Sequence, residues 1–509
     1  MNVSSERTQS LWMRVQAAPA FRPLAENLTC DTVVVGSGIA GLSVAYELTR
    51  AGQSVVVLDR GAIAGGMTSR TTAHLAPICD DGLDELIKAR GEESARLFQE
   101  SQAAAVDRIE AIVASEAISC GFRRLDGYLF PALGMARSDG KAQRDRQYDA
   151  ARKANAAAER ATGVPLKGFE DAPVVRYPRQ GTFHPLKYLQ GLVAAIAEGG
   201  GRLFADTAVT GVAEQENGVT VTTDSGKSVK AGQAVIATNS PINDSTAIHD
   251  NMVPYRTYAM AFTIPRGILP DALYWDMADP YHYVRLHPGS GTIDYLIVGG
   301  ADHKSGESDD GEVRFEAVEA WIRQLMPDLG REVHRWSGQV LDTPDYCGFI
   351  GRDPGSDKIY VVTGDSGQGM THGALAGLLL HDLIVGGGSP WAAVYDPARK
   401  RARGVLNTIT ESVGALKSLA GSAAPGAVKS ADELKAGQGG IMHRDGRKIA
   451  ACRDLKGKVH LLSAACTHRG CEVQWNSTEQ CWDCPCHGSQ FAPDGTVLNA
   501  PATNPLGKA

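Results

Sequence analysis

Short apolar runs punctuate this chain and alternate with helical stretches. A run at 32–35 is followed by a glycine turn at 36–41, helical periodicity at 42–51 and a second apolar run at 54–58. Apolar runs of that length read as strands buried on both faces, so their order predicts a parallel βαβ unit. Residues 83–120 and 141–162, rich in Ala, Glu, Arg and Gln, read as helices, and 186–198 as an amphipathic helix. Strand-like runs follow at 208–213, 218–223 and 234–237. Between 255 and 300 aromatic and polar residues alternate (YHYVRLH, IDYLIVGG), the pattern of an antiparallel sheet. A buried strand at 358–363 leads through a glycine-rich turn into a helix at 371–385. Residues 401–420 form an amphipathic helix, and GSAAPGA at 421–427 is a small-residue linker. Beyond it come short strands, turns and clustered Cys and His, so the last domain is placed at 428–509. Residues 1–30 lack periodicity and read as a lead segment tied down by Leu11, Trp12 and Phe21.

Length and charge narrow the function classes. A chain of 509 residues is too long for one core, and two or three domains are expected. The formal net charge of −7 disfavours sequence-independent nucleic-acid binding, which needs a basic surface. No apolar run approaches the length of a membrane span, since the best one, 374–385, is interrupted by His381 and Asp382. The N-terminus has no basic region followed by an apolar one, so a cytoplasmic location is expected. Cysteine is unevenly spread. Of ten, only Cys30, Cys79, Cys120 and Cys347 precede residue 452, and six fall between Cys452 and Cys486. That skew points to a local metal site rather than to disulfides throughout.

The turn Gly36-Ser-Gly38-Ile-Ala-Gly41 follows a strand and opens a helix, and Asp59 ends the next strand. Gly36 permits the tight turn, Gly38 the approach of a pyrophosphate, and Gly41 close packing of helix on sheet. The helix N-terminus adds partial positive charge, and Asp59 can accept from a ribose hydroxyl. The stretch 65–74 is polar and glycine-rich and suits a place beside the pyrophosphate. The turn at 363–371 makes a second helix N-terminus, suited to the pyrimidine end of a flavin, whose reduced form is anionic.

On these segments the chain resembles the D-amino-acid oxidase-like, or glycine/sarcosine oxidase-like, FAD-dependent oxidoreductases. The resemblance spans about 28–400 and rests on VVVGSGIAGLSVAYELTRAGQSVVVLDR, HPLKYLQGLVAAIAEGGGRL, AVIATN, WSGQVLDTPDYCGFIGR and VVTGDSGQGMTHG. It implies an α/β, Rossmann-like FAD-binding domain (about 31–80, 181–245 and 350–390). An interleaved α+β substrate domain (about 121–180 and 251–345) completes a unit at 31–400. The cofactor-binding residues it implies begin with Gly36, Gly38, Ala40, Gly41, Asp59 and Arg60. Thr68, Arg70, Thr71, Thr72 and Ala73 follow, then Val209 and Thr238. The late turn adds Gly364, Gly367, Gln368, Gly369, Met370 and Thr371. Members of the family oxidise C–N bonds of amines and amino acids by hydride transfer to the flavin. Some hold FAD covalently, for which Cys347 and His74 are the nearest candidates here, against buried or solvated side chains.

Near the C-terminus, Cys466-Thr-His468-Arg-Gly-Cys471 precedes Cys484-Pro-Cys486-His487-Gly-Ser489. Zinc also takes Cys/His pairs. The C-x-H…C-x-x-H order favours iron–sulfur, because one iron then takes two thiolates and the other two imidazoles. The spacing closely resembles Rieske [2Fe–2S] domains, a small all-β fold. That resemblance implies Cys466, His468, Cys484 and His487 as ligands and Cys471–Cys486 as a disulfide. Ser489 is placed to donate to a cluster sulfur, whereas Phe491 stands where high-potential members have a Tyr, so an intermediate potential is expected. Cys452 and Cys481 have no assigned role.

A decoy lies at Asp279, His282 and His287, the D-x-x-H-x4-H spacing of a mononuclear iron site. Read as a strand, it puts residues five apart on opposite faces. Tyr258, His282, Tyr283 and Arg285 are the catalytic candidates, with Arg285 a partner for a substrate carboxylate or a surface ion pair. Three functions compete. The first is an amine or amino-acid dehydrogenase passing electrons through its cluster to an external acceptor, with the 421–427 linker letting the cluster approach the flavin or swing to a partner. The second is an electron-transfer component serving a separate oxygenase or reductase; no second G-x-G-x-x-G for a nicotinamide was found between strand and helix. The third is a redox sensor, which the sheet region at 255–350 disfavours.

Overall fold

The computed structural model describes residues 6–14, 20–243, 246–399 and 428–509. Its organising sheet has eight strands. Leu28–Val35 lies parallel to Val55–Leu58 on one side and to Ser228–Ile236 on the other. Arg202–Phe204 and Ile359–Thr363 extend the sheet in parallel at either end. The strands Val55–Leu58 and Ile359–Thr363 are buried at every position, as continuous apolar runs require. Helices Ile39–Arg50 and Gly369–His381 pack against one another over this sheet, and the second is apolar nearly all round because protein covers it on every side.

A second sheet of nine strands carries the long antiparallel strands Val253–Pro265, Ile293–Lys304 and Glu332–Asp342. Helix Gly311–Leu325 closes its far face through Phe315, Val318 and Ile322. The C-terminal unit is all β, a three-stranded and a four-stranded antiparallel sheet around Trp475, Trp482 and Phe491. The α/β unit, its interleaved sheet and the small all-β unit are thus the architecture expected.

Some elements differ in extent. The helix expected at 141–162 is Arg137–Lys153, and Glu159–Thr162 pairs as a strand with Pro173–Thr182. Its helix-forming composition yields to a left-handed turn at Asn155 (φ 57°) and to sheet pairing. The helix expected at 83–120 ends at Ser115 and is kinked at Gly91 (φ 83°). The helix expected at 371–385 ends at His381 and runs on as a wider π turn, Asp382–Gly386. The helix at 401–420 and the linker at 421–427 lie outside the described residues. The N-terminal segment is more than a lead-in: Trp12 and Glu6 are buried, and Phe21 packs against the core.

Candidate functional site

The first glycine turn needs glycine where it touches the sheet. Gly36 has φ +105°, and a Cβ there would lie 2.2 Å from the Ala237 carbonyl oxygen. A Cβ on Gly41 would lie 1.9 Å from the Gly36 carbonyl oxygen, so this residue serves helix packing and does not reach the cavity beyond. That cavity is walled by Gly36, Gly38 and Ala40 on one side and by Gly364, Gly367, Gln368, Gly369, Met370 and Thr371 on the other. Two helix N-termini therefore open on it; neither N-cap residue caps its helix with a side chain, and at the first the Thr68 hydroxyl accepts from the Ile39 amide (3.0 Å). Asp59 lies in the wall, with Oδ2 accepting from the Ser37 amide (2.7 Å) and hydroxyl (2.6 Å) and Oδ1 from the Gly61 amide (3.0 Å). It braces the turn as well as presenting a carboxylate. Two positive helix ends facing one cavity, with a carboxylate near one of them, fit FAD.

Thr68, Arg70, Thr71, Thr72 and Thr238 line the same cavity. Arg60 and Val209 do not; they line a small side cavity shared with Gly36 and Thr238. Ala73 is buried behind the wall. Of the catalytic candidates only Tyr283 lines the cavity, and three need correction. Tyr258 points to the opposite face of its strand, where its hydroxyl meets His303 Nε2 at 3.0 Å. Side chains alternate along a strand, so Tyr255 and Thr257 face the cavity and Tyr258 cannot. His282 stacks on Trp321 (4.3 Å between centroids) with Nδ1 3.0 Å from Asp276 Oδ2, outside the wall. Arg285 is buried, donating to the Thr72 and Ala73 carbonyls at 3.0 and 2.6 Å. The iron decoy disperses as well, because His287 packs against Trp12 and His184 while His282 meets Asp276. Cys347 is fully buried outside the wall, its thiol pushed up to about 12 by burial, whereas His74 lines the cavity.

Sequence reading missed the acidic wall. Asp80, Asp81, Asp302, Asp342 and Asp365 all line the cavity. They come from four separated segments, so no spacing signals them. Strand alternation puts Tyr255 and Tyr258 on opposite faces, but it does not say which of them meets the cavity.

In the C-terminal unit two tight loops bring the expected ligands together. The Cys466 amide donates to the Cys471 carbonyl (2.8 Å) and the Cys484 amide to the Ser489 carbonyl (2.8 Å). Cys466 and Cys484 are buried free thiols, and a hydrogen bond from Cys484 draws Cys466 below its ordinary value, aided by backbone donors and Ser489. The rings of His468 and His487 stand 4.9 Å apart. Burial lowers His487 to about 3, keeping it neutral, and its Nδ1 is buried with no partner. Two thiols and two imidazoles, one of them with an orphaned ring nitrogen, fit a Rieske cluster. Cys471 and Cys486 form the expected disulfide, with an S–S distance of 2.04 Å. Their sulfurs lie within 4.8 Å of Cys484 but, being bonded to each other, offer no thiolate. Cys452 and Cys481 are buried outside the ligand set.

The cluster loops dock against the larger module. His249 is 1% exposed, and its ring lies 4.8 Å from that of His468 and 5.5 Å from that of His487. Gln339, in the cavity wall, donates to the carbonyl of Gly488 (2.9 Å), the residue after His487. Its Oε1 accepts from Asn239, also in the wall, and from Asn499. Beside this contact lies a buried charge network. Arg70 meets Glu6 (2.8 Å) and Glu479 (3.2 Å), and Arg256 meets Asp483 (2.8 Å) and Glu6 (3.6 Å). Glu6 is pushed up to about 7, first by burial, so in its neutral form the network balances two guanidiniums against two carboxylates.

Known proteins share both parts. Residues 31–383 match the DAO family model, FAD dependent oxidoreductase, and 425–509 match the Rieske [2Fe-2S] domain model. YhfW of Bacillus subtilis (strain 168), whose name places it among Rieske 2Fe-2S iron-sulfur proteins, is 31% identical over 99% of this chain and 98% of its own length. The gamma-glutamylputrescine oxidoreductase of Escherichia coli (strain K12) is 27% identical over 72% of this chain and 86% of its own. Glycine oxidase from Geobacillus kaustophilus superposes with a TM-score of 0.62 at 19% identity, covering 74% of this chain and all of that one. Among the described residues no helix is long and apolar enough to cross a membrane.

Proposed function

We propose, for a chain that belongs to the DAO family of FAD-dependent oxidoreductases and ends in a Rieske [2Fe-2S] domain, that C–N oxidation at one end is wired to an electron outlet at the other. The substrate is an amine or amino acid and the final acceptor an external one-electron carrier. Bound there, FAD would supply the hydride acceptor for oxidation of C–N to C=N, a change that also releases a proton from nitrogen, and the cluster would supply a one-electron outlet. This chain's own residues shape the rest. The amides at the two helix ends hold the anionic parts of the cofactor, and Tyr255, Thr257 and Tyr283 line the space beside it. Burial lowers His74 to about 3, so it enters that space as a neutral imidazole and accepts no proton at working pH. Gln339 ties the cavity wall to the loop of His487, and this contact carries the proposal. It supports electron passage within one chain, over a docked interface rather than by a swinging domain.

The test is an anaerobic titration of holoenzyme with amines and amino acids, followed by absorbance and electron paramagnetic resonance (EPR). Substrate should bleach the flavin and reduce the cluster together. Reduction by NAD(P)H alone would sink the reading and favour an electron-transfer component. The docked route makes a second prediction. His249→Phe keeps a buried ring at the interface but removes the imidazole beside both cluster histidines. It should slow cluster reduction about tenfold, a barrier change of about 1.4 kcal/mol, and alter the EPR line shape. Bleaching by substrate should stay within about twofold of wild type, because His249 lies outside the cavity wall. An unchanged stopped-flow rate would show that electrons cross elsewhere.

A further inference from the structure

The cavity that receives the substrate is lined by acidic side chains, and Arg70, the one basic side chain among the described residues of its wall, is already paired with Glu6 and Glu479. Asp80 and Asp81 enter it from the loop before helix Leu83–Ser115, Asp302 from strand Ile293–Lys304, Asp342 from the end of Glu332–Asp342, and Asp365 from the turn before Gly369–His381. Asp80 Oδ2 accepts from the Tyr281 hydroxyl at 2.8 Å. Asp302 Oδ1 and Asp365 Oδ1 are buried with no hydrogen-bond partner. An unpaired buried carboxylate oxygen is costly, and a cation is what would satisfy it.

Among the described residues no cationic side chain in the wall is left to pair with a substrate carboxylate. Among the described residues Arg70 is its only arginine or lysine. Arg70 is held by Glu6 and Glu479 and donates to the Thr8 and Ser337 carbonyls at 2.8 and 2.9 Å. Arg285, the residue expected to hold such a carboxylate, lies outside the wall, with Nη1 on the Thr72 and Ala73 carbonyls. His74 and His372 line the cavity, but burial lowers them to about 3 and about 4, so neither carries charge near neutrality. Trp275, Tyr255, Tyr281 and Tyr283 add ring faces, which also favour cations.

Resting on the C–N oxidation proposed above, we infer that the substrate is a diamine or polyamine carrying no carboxylate. One nitrogen is presented for oxidation while a second, protonated nitrogen is held among Asp80, Asp302, Asp342 and Asp365. Burial first raises Asp80 to about 7 and Asp302 and Asp365 to about 6 in the ligand-free cavity, with repulsion from neighbouring carboxylates adding to it at Asp80 and Asp302. A bound cation offsets that repulsion.

The experiment uses holoenzyme under anaerobic conditions. Half-saturation of flavin bleaching is compared between α,ω-diaminoalkanes of three to six carbons and ω-amino acids of equal length. The diamines should half-saturate at least about tenfold lower, and Asp302→Asn and Asp342→Asn should each remove most of that preference. FAD content is measured alongside, so that a misfolded variant is recognised and the comparison moves to the other. Amino acids that bleach as well as diamines, or a preference that survives both substitutions, would overturn the inference and leave C–N oxidation standing. If no amine or amino acid bleaches the flavin, the reading beneath it fails as well.

Discussion

Cys484→Ser should yield a yellow protein whose flavin is still bleached by substrate, whose Rieske EPR signal is gone, and whose turnover with a one-electron acceptor falls at least about a hundredfold. The size of the effect follows from the ligand set. Only Cys466 and Cys484 supply free thiols among the four convergent donors, since Cys471 and Cys486 are joined to each other. A serine hydroxyl is a poor thiolate replacement, and no other free sulfur is in place, because Cys452 and Cys481 lie outside the loops. The flavin half-reaction should survive because Cys484 does not line the cavity. Iron content, EPR and stopped-flow absorbance on one preparation separate these outcomes. Full turnover without the cluster would mean that electrons leave the flavin directly, and the wiring proposed here would be wrong.

What the sequence disclosed and what it hid divide along a physical line. The turn from Gly36 to Gly41 and the Cys466–His468 and Cys484–His487 loops keep their chemistry within a few consecutive residues, so spacing alone announces them. The βαβ unit was legible for the same reason: its hydrogen-bonded neighbours are close in the chain. Strand Glu159–Thr162 was not, because its composition favours helix and only pairing with Pro173–Thr182 overrides it. Tyr258 and Tyr255 differ only in which face of one strand they occupy, and a sequence that alternates aromatic and polar residues does not say which face is the cavity. The acidic wall and the junction were invisible because their members are far apart in the chain. Glu6 lies beside Arg70 and Arg256, and Arg256 beside Asp483. A swinging domain, expected from the small-residue linker, takes no account of those buried charges.

Arg256→Met tests that fixed docking most severely. Arg256 is 1% exposed, its Nη2 meets both oxygens of Asp483 at 2.8 and 2.9 Å, and its Nη1 donates to Ser337 Oγ at 2.9 Å. Without it, Asp483 keeps only the neutral donors Gln490, Asn476 and the Cys481 thiol, in a site sealed from water. Removing one partner of a buried pair costs about 3–5 kcal/mol, because the remaining charge stays uncompensated. Asp483 is adjacent to Cys484, so the cost falls where the cluster loop meets the larger module. The melt should split, with the C-terminal unit releasing first, and cluster reduction by substrate should slow even in the folded fraction. Glu6→Gln is the counter-experiment. The folded value of Glu6, about 7, lies above that of an ordinary carboxylate, so its favourable contribution is complete in acid and is lost as pH rises through about 7. Wild type should therefore lose stability between about pH 4.5 and pH 7 and level off above that, and Glu6→Gln, neutral throughout, should flatten that fall. If Arg256→Met melts as one unit near the wild-type temperature, the two modules are not held by this network, and electron passage would need the domain motion that a fixed interface excludes.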